Sequence, residues 1–297
     1  MNLRLADMAI KAYQGILDEN DSARVAFFRT LWGIQQEFSQ DVDADYQVPS
    51  DHDLKAAVKL STPVFATKGV SVDGSLFAQV IKALCAATIE QQVALPQVND
   101  DLARIDWDNV VSNSDLELAG VNPSAYLVQV SEQLLEGGVS QVSVGMALSF
   151  VSMALRTMIE GAAEQVWNGI KAADLVETCH PQACPVCGSA PSLSHVGGET
   201  SSSGRGRKLV CTQCGTAWEY ERVRCARCGT RDQSSLHFFN LEGDDSHRIA
   251  TCDECGQYIR ALFSESKLLP TSYEVEDVVM ARLDAVAMDP RFQGGAE

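Results

Sequence analysis

Residues 184–189 read CPVCGS, and the phrase returns as CTQCG at 211–215, CARCG at 225–229 and CDECG at 252–256. Each is a C-x-x-C pair followed at once by glycine. Two sulfurs can meet one ion at about 2.3 Å only if the backbone between them turns tightly, and the residue just past the second cysteine then favours positive φ. Glycine adopts that φ without steric cost, whereas a thiol redox pair has no such requirement. Cys184 to Cys211 is 27 positions, Cys225 to Cys252 is also 27, and the whole block recurs at an offset of 41. The flanks repeat too, LVCTQCGTAW against IATCDECGQYI. The chain thus duplicates a two-knuckle unit, and each unit supplies the four thiolates of a tetrahedral Zn²⁺ or iron site. The repeat assigns Cys184, Cys187, Cys211 and Cys214 to one site and Cys225, Cys228, Cys252 and Cys255 to a second. A cross-braced pairing of the first knuckle with the third is the alternative. Sites closed by four sulfurs leave no coordination position for substrate, so they predict structural metal rather than metal catalysis.

Outward from this block the chain changes character. Eight of ten cysteines lie between 184 and 255, and the first 178 residues contain only Cys85. Disulfides are not expected of so many cysteines in a reducing compartment. Arg4, Asp7 and Lys11 interrupt the apolar positions of the N-terminal residues, so a secretory signal is not expected and a cytoplasmic location is. The formal charge of −17, with 24 acidic against 11 basic residues before position 179, predicts no nucleic acid partner. Residues 137–155 carry no charge, but their three glycines, four serines and one glutamine predict a buried helix and no membrane insertion.

Before residue 178 the periodicity is helical. Asp73 is placed to cap a helix whose Phe77, Val80, Ile81 and Leu84 share a face, and Asn122-Pro123 opens another that Gly137-Gly138 closes. Leu155, Ile159, Ala162, Val166 and Ile170 mark a long helix from about 143 to 176. The segment 195–206, HVGGETSSSGRG, reads as a flexible loop, and Val275, Val278, Val279, Leu283 and Val286 read as a last amphipathic helix packed on one of the two domains. The expected architecture is α+β: an N-terminal all-α helical domain at 1–178, two tandem rubredoxin-like or zinc-ribbon modules at 179–224 and 225–264, and a C-terminal helical tail at 265–297.

Other candidates are weaker. Cys179 and His180 could be spare ligands, but both sites are already full, and Cys85 reads as a helix-packing thiol. His195, His237 and His247 lack a Ser or Asp at any motif spacing, so none is assigned as a general base. Arg222, Arg224, Arg227 and Arg231 either meet an anionic segment of a partner or offset the charge of the metal site. Trp218 is expected to pack over the strands. No phosphate loop, dinucleotide fingerprint or nucleophile elbow occurs, and the chain is expected not to be an enzyme, with no catalytic residue assigned.

The runs CPVCGSAP, GRKLVCTQCGTAWEYERVRCARCG, TCDECGQYIRAL and DVVMARLDAVAMDPRFQGG resemble the formate dehydrogenase accessory protein family, FdhE, over residues 184–294. The resemblance implies two rubredoxin-like metal modules behind a helical domain. The eight cysteines would be the ligands of two metal ions per chain, iron rather than zinc. It also implies a cytoplasmic maturation factor that binds the catalytic subunit of formate dehydrogenase; a homodimer is compatible with it. Two other functions compete: a rubredoxin-like electron-transfer or thiol-redox protein, and a zinc-ribbon nucleic-acid binder.

Overall fold

The computed structural model describes residues 1–43, 45–201, 204–264 and 270–288. The chain is helical from the start to residue 178 and becomes a sheet beyond it. The helices are α1 (Leu3–Ala12), α2 (Glu19–Phe38), α3 (Asp51–Leu60), α4 (Val64–Thr67), α5 (Gly74–Glu90), α6 (Pro96–Arg104), α7 (Trp107–Ser112), α8 (Leu116–Val121), α9 (Pro123–Glu136) and α10 (Gln141–Ala172). Most of their starts, though not those of α4 and α6, are set by side-chain capping oxygens. Asp73 accepts the N–H groups of Ser75 and Leu76 ahead of α5, Asn122 accepts that of Ala125 ahead of α9, and Ser140 accepts that of Ser143 ahead of α10.

Helix α10 is the axle of the bundle. Phe150, Ala154, Leu155, Ile159, Ala163, Val166 and Ile170 are buried against α2, α5 and α9, with Phe77, Ile81, Leu84 and Tyr126 facing them. Among the described residues it is the one helix long and apolar enough to cross a membrane, and 61% of its apolar window is buried inside the fold.

The second half forms one six-stranded sheet from β1 (Leu193–Ser201), β2 (Gly204–Val210), β3 (Ala217–Tyr220), β4 (Leu236–Asn240), β5 (His247–Cys252) and β6 (Gln257–Ser264), in the order β3-β2-β1-β6-β5-β4. Each duplicated unit contributes an antiparallel meander, and the two are laid head to tail through parallel pairing of β1 with β6. At that seam Gly197 sits at φ +131° with its Cα against β6, and a Cβ would lie 2.0 Å from the Ser264 carbonyl oxygen. Glycine there is a requirement of the seam. Residues 195–206 are therefore largely strand, not the loop expected from composition; positions 202 and 203 lie outside the described residues. A Gly- and Ser-rich strand gives no alternating signal, and its pairing with β6, some 65 residues away in sequence, holds it extended.

The predicted C-terminal helix is present and is divided at Met280 into α11 (Tyr273–Val279) and α12 (Ala281–Ala287). Instead of packing on one side, it ties both halves together. Val275, Val278 and Val279 are buried against Ala6, Ala9, Val25 and Trp32 of the bundle, while Met280 and Leu283 are buried against Leu193, Val210, Ile249 and Leu262 of the sheet. Positions 289–294, part of the run that resembles FdhE, lie outside the described residues.

Candidate metal centres

Each C-x-x-C pair is a tight turn in which the glycine N–H returns to the carbonyl of the first cysteine: Gly188 to Cys184 at 2.9 Å, Gly215 to Cys211 at 2.9 Å, Gly229 to Cys225 at 3.1 Å and Gly256 to Cys252 at 2.9 Å. All four glycines have positive φ, between +65° and +80°. The turns bring the sulfurs together in two groups of four, Cys184, Cys187, Cys211 and Cys214, and Cys225, Cys228, Cys252 and Cys255, each within 4.8 Å of one another. The grouping is unit by unit rather than cross-braced.

A tetrahedron of sulfurs about 2.3 Å from a central ion has edges of about 3.8 Å. Cys184 and Cys214 are 3.5 Å apart and Cys187 and Cys211 are 3.5 Å apart; in the second group Cys225 and Cys255 are 3.9 Å apart and Cys228 and Cys252 are 3.7 Å apart. Four soft donors at these separations fit an ion such as Zn²⁺ or iron, and each cluster could hold one. The electrostatics point the same way. Burial drives the Cys184 thiol up, while hydrogen bonds from the three neighbouring sulfurs drive Cys187 down. In the second group burial pushes Cys252 up to about 12; it also opposes ionisation of Cys225, but the backbone N–H groups of Cys228 and Arg227 outweigh it and lower that thiol to about 7. Four such sulfurs ionise together only around a cation.

The two clusters sit in different surroundings. The first belongs to the main core, with all four cysteines buried. Two helices hold it. The N–H groups that open α4 have no partner within the helix; Val64 donates to Pro185 O at 3.0 Å and Phe65 to Val186 O at 2.9 Å, both in the first knuckle. On α10, Ser152 Oγ donates to Gln213 Oε1 at 2.8 Å, Gln213 Nε2 donates back to Ser152 O at 3.1 Å, and Arg156 Nη1 donates to Thr212 O at 3.2 Å. Arg156 is itself held by Glu160 at 2.7 Å and by Glu274 of α11 at 2.6 Å. The second cluster lies at the far side of the sheet, where Cys228 is exposed and Cys255 half-buried.

The remaining candidates fall elsewhere. Cys179 is buried outside both clusters, and His180 spans the carbonyls of Glu219 and Glu177. Cys85 is packed in the bundle, where burial raises its thiol to about 12. Trp218 is buried and donates to Pro181 O at 2.9 Å. His195 contacts Tyr273 and Ser264, and His237 contacts Asp253. His247 has the partners that no motif spacing disclosed: Asp244 at 2.8 Å, Glu276 at 2.9 Å and the Tyr13 hydroxyl at 3.2 Å, joining sheet, tail and bundle. Arg231 and Arg224 pair with Glu221. The clamp residues Ser152 and Arg156 of α10 and their partner Gln213 in the second knuckle also escape sequence reading, because a polar side chain carries no signal of which distant segment will meet it.

Comparison with known proteins bears on this arrangement. A family model described as FdhE, central domain, matches residues 183–222, the stretch that contains the first four-sulfur cluster. A protein FdhE homolog of Aquifex aeolicus is 35% identical over 109 residues, 37% of this chain and 38% of that protein. One of Shewanella oneidensis is 29% identical over 194 residues, 64% of this chain and 57% of that protein. The comparisons support the FdhE family. The matched stretches span well under two thirds of these relatives' own length. A crystal structure of the FdhE protein from Pseudomonas aeruginosa superposes with a TM-score of 0.58 at 17% identity, covering 96% of this chain and 90% of that one, and shows a shared fold.

Proposed function

We propose that the chain is a non-enzymatic accessory factor for formate dehydrogenase, acting in the cytoplasm by binding the catalytic subunit during its maturation. The observation that carries this reading is the match of residues 183–222, cage and flanks together, to the FdhE central domain. In this reading Cys184, Cys187, Cys211 and Cys214 hold one ion, and Cys225, Cys228, Cys252 and Cys255 hold the other. The resemblance to FdhE favours iron over zinc, both of which accept four thiolates. Residues 1–178 act as the helical domain, 179–224 and 225–264 as the two metal modules and 265–297 as the tail; the ions rigidify the modules so that they and the bundle present one surface to the subunit. Anaerobic pull-down with the tagged chain, from cells making a formate dehydrogenase, is expected to retain the catalytic subunit. Failure to retain it refutes the proposal.

The exposed Cys228 favours a second reading, electron transfer through rubredoxin-type iron, since it brings one ligand sulfur of the second cage to solvent. Protein that is red and bleaches reversibly with dithionite supports it, and colourless protein containing two zinc ions excludes it.

A further inference from the structure

A cavity of about 320 Å³ lies between the third knuckle and one face of the sheet. Its charged lining is of one sign: Arg207 of β2, Arg248 of β5, and Arg222, Arg224 and Arg227 from the knuckle segment, with no carboxylate among the described lining residues. Strand register explains the convergence. Arg207 pairs with Val196, and Val196 with Phe263, so the three side chains share a face, and the Arg248 guanidinium lies 4.0 Å over the Phe263 ring.

In a chain of formal charge −17, five arginines around one hollow call for an anion. The second sulfur cage accounts for part of this. Four thiolates on a divalent ion leave a double negative charge; Cys225 and Cys252 border the cavity, the backbone N–H of Arg227 donates to Cys225 Sγ at 3.3 Å, and the Arg227 guanidinium is held beside the cage by its Nε, which donates to Tyr258 O at 3.2 Å. Arg224 is paired with Glu221. Arg207, Arg222 and Arg248 remain, and among the described residues none of them meets a carboxylate. Arg207 is buried and donates to the carbonyl oxygens of Arg224 at 2.7 Å and Glu221 at 3.5 Å, which carry no full charge. The Nε of Arg248 is buried without a hydrogen-bond partner.

We propose that this cavity is a binding site for a phosphorylated small molecule carrying at least two negative charges. Guanidinium forks match phosphate oxygens two by two, and three cations around one hollow suit a compact polyanion better than a single carboxylate. An acidic strand would space its same-side carboxylates by about 6.6 Å and spread the charge along a line. The half-exposed Phe238, edge-on to Phe263 at 5.9 Å, lines the same cavity and supplies an apolar surface for the organic part.

The test is calorimetric titration of the metal-loaded full chain with inorganic pyrophosphate at about 0.15 M salt, where distant surface charges are largely screened. Saturable one-site binding is expected. Arg222→Ala and Arg248→Ala are each expected to weaken it about tenfold, as loss of a charged hydrogen bond does, with metal content unchanged. Arg222 is exposed on its loop, so its replacement keeps the test readable even if Arg248→Ala does not fold. Arg104→Ala, on the surface of the bundle, is expected to bind as the parent. No saturable heat, or unchanged affinity in both cavity variants, overturns the proposal. It is equally overturned if hexaglutamate binds more tightly and displaces pyrophosphate, because the cavity then serves an acidic peptide.

Discussion

The two four-sulfur cages are copies of one sequence unit, yet one is part of the molecule's largest core and the other stands at its edge. The first has all four cysteines buried, with helix α4 donating into its first knuckle and α10 gripping its second. The second exposes Cys228; its first knuckle is held by Tyr220, whose hydroxyl donates to Cys225 O at 2.8 Å, and by its own strands, with no bond to it from α4 or α10 among the described residues. Duplication copied the ligands and their turns, but the bundle could cover one copy only. Identical coordination can therefore carry different structural weight. Breaking the first cage disturbs the packing of two helices; breaking the second disturbs a peripheral turn.

The largest expected effect follows directly. Cys184→Ser should remove the ion from the first cage and leave a buried, mismatched polar group, lowering the unfolding midpoint by about 10 °C or more, equivalent to at least ~4 kcal/mol. Cys228→Ser should remove the other ion with a loss at most about half as large, and helical circular dichroism should be kept. Differential scanning calorimetry with elemental analysis reads both. Equal losses for the two variants would abolish the distinction between the cages.

The second effect concerns how the outer unit is tied to the rest. His247 of β5 is buried between Asp244, Glu276 of α11 and Tyr13 of α1, and Arg282 also approaches Asp244. Burial alone would lower its pKa, but the two carboxylates outweigh it and raise the imidazolium to about 9. A folded-state pKa above the unfolded 6.5 means that the stabilisation is complete below pH 6.5 and is lost as pH climbs through 9, amounting to about 3 kcal/mol at most. On the acid side burial likewise opposes ionisation of Asp244, yet its contacts with His247 bring it down to about 2, so its share of the same interaction is present above pH 3.8 and disappears toward pH 2. Urea midpoints between pH 6 and 9.5 should fall in the parent and stay nearly level in His247→Gln. A parallel fall in the variant would remove His247 as the source.

These contrasts mark what the sequence could disclose. The four glycine-punctuated pairs and the offset of 41 are local and repeated, so both clusters and the α+β layout were legible. Asp73, Asn122 and the α10 stripe were readable for the same reason: caps and periodicity lie within one element. The seam between β1 and β6, the division of the tail at Met280 and the partners of His247 each depend on pairings between distant segments, about which a window of periodicity says nothing. The Ser- and Gly-rich β1 is the clearest case, since its own residues favour a loop and its neighbour makes it a strand.

The smallest effect is the sharpest probe of the comparison, because it changes one methyl group in equivalent turns. Gly215 and Gly256 close the second knuckle of their respective units, at φ +79° and +65°. Alanine at either position is strained by the left-handed backbone, at a cost of about 1 kcal/mol. At Gly256 the new methyl would meet nothing within 4 Å, so the strain should be the whole effect. At Gly215 it would lie 2.9 Å from Glu160 Oε1 and 3.4 Å from Arg156 Nη2, the pair through which α10 also engages Glu274. Displacing that pair, in which Arg156 is buried and Glu160 partly so, should roughly double the loss. Chemical denaturation of Gly215→Ala beside Gly256→Ala is expected to separate the two midpoints. If they coincide, the first cage is no more tightly bound to the bundle than the second, and the different coverings of the two cages have no energetic consequence.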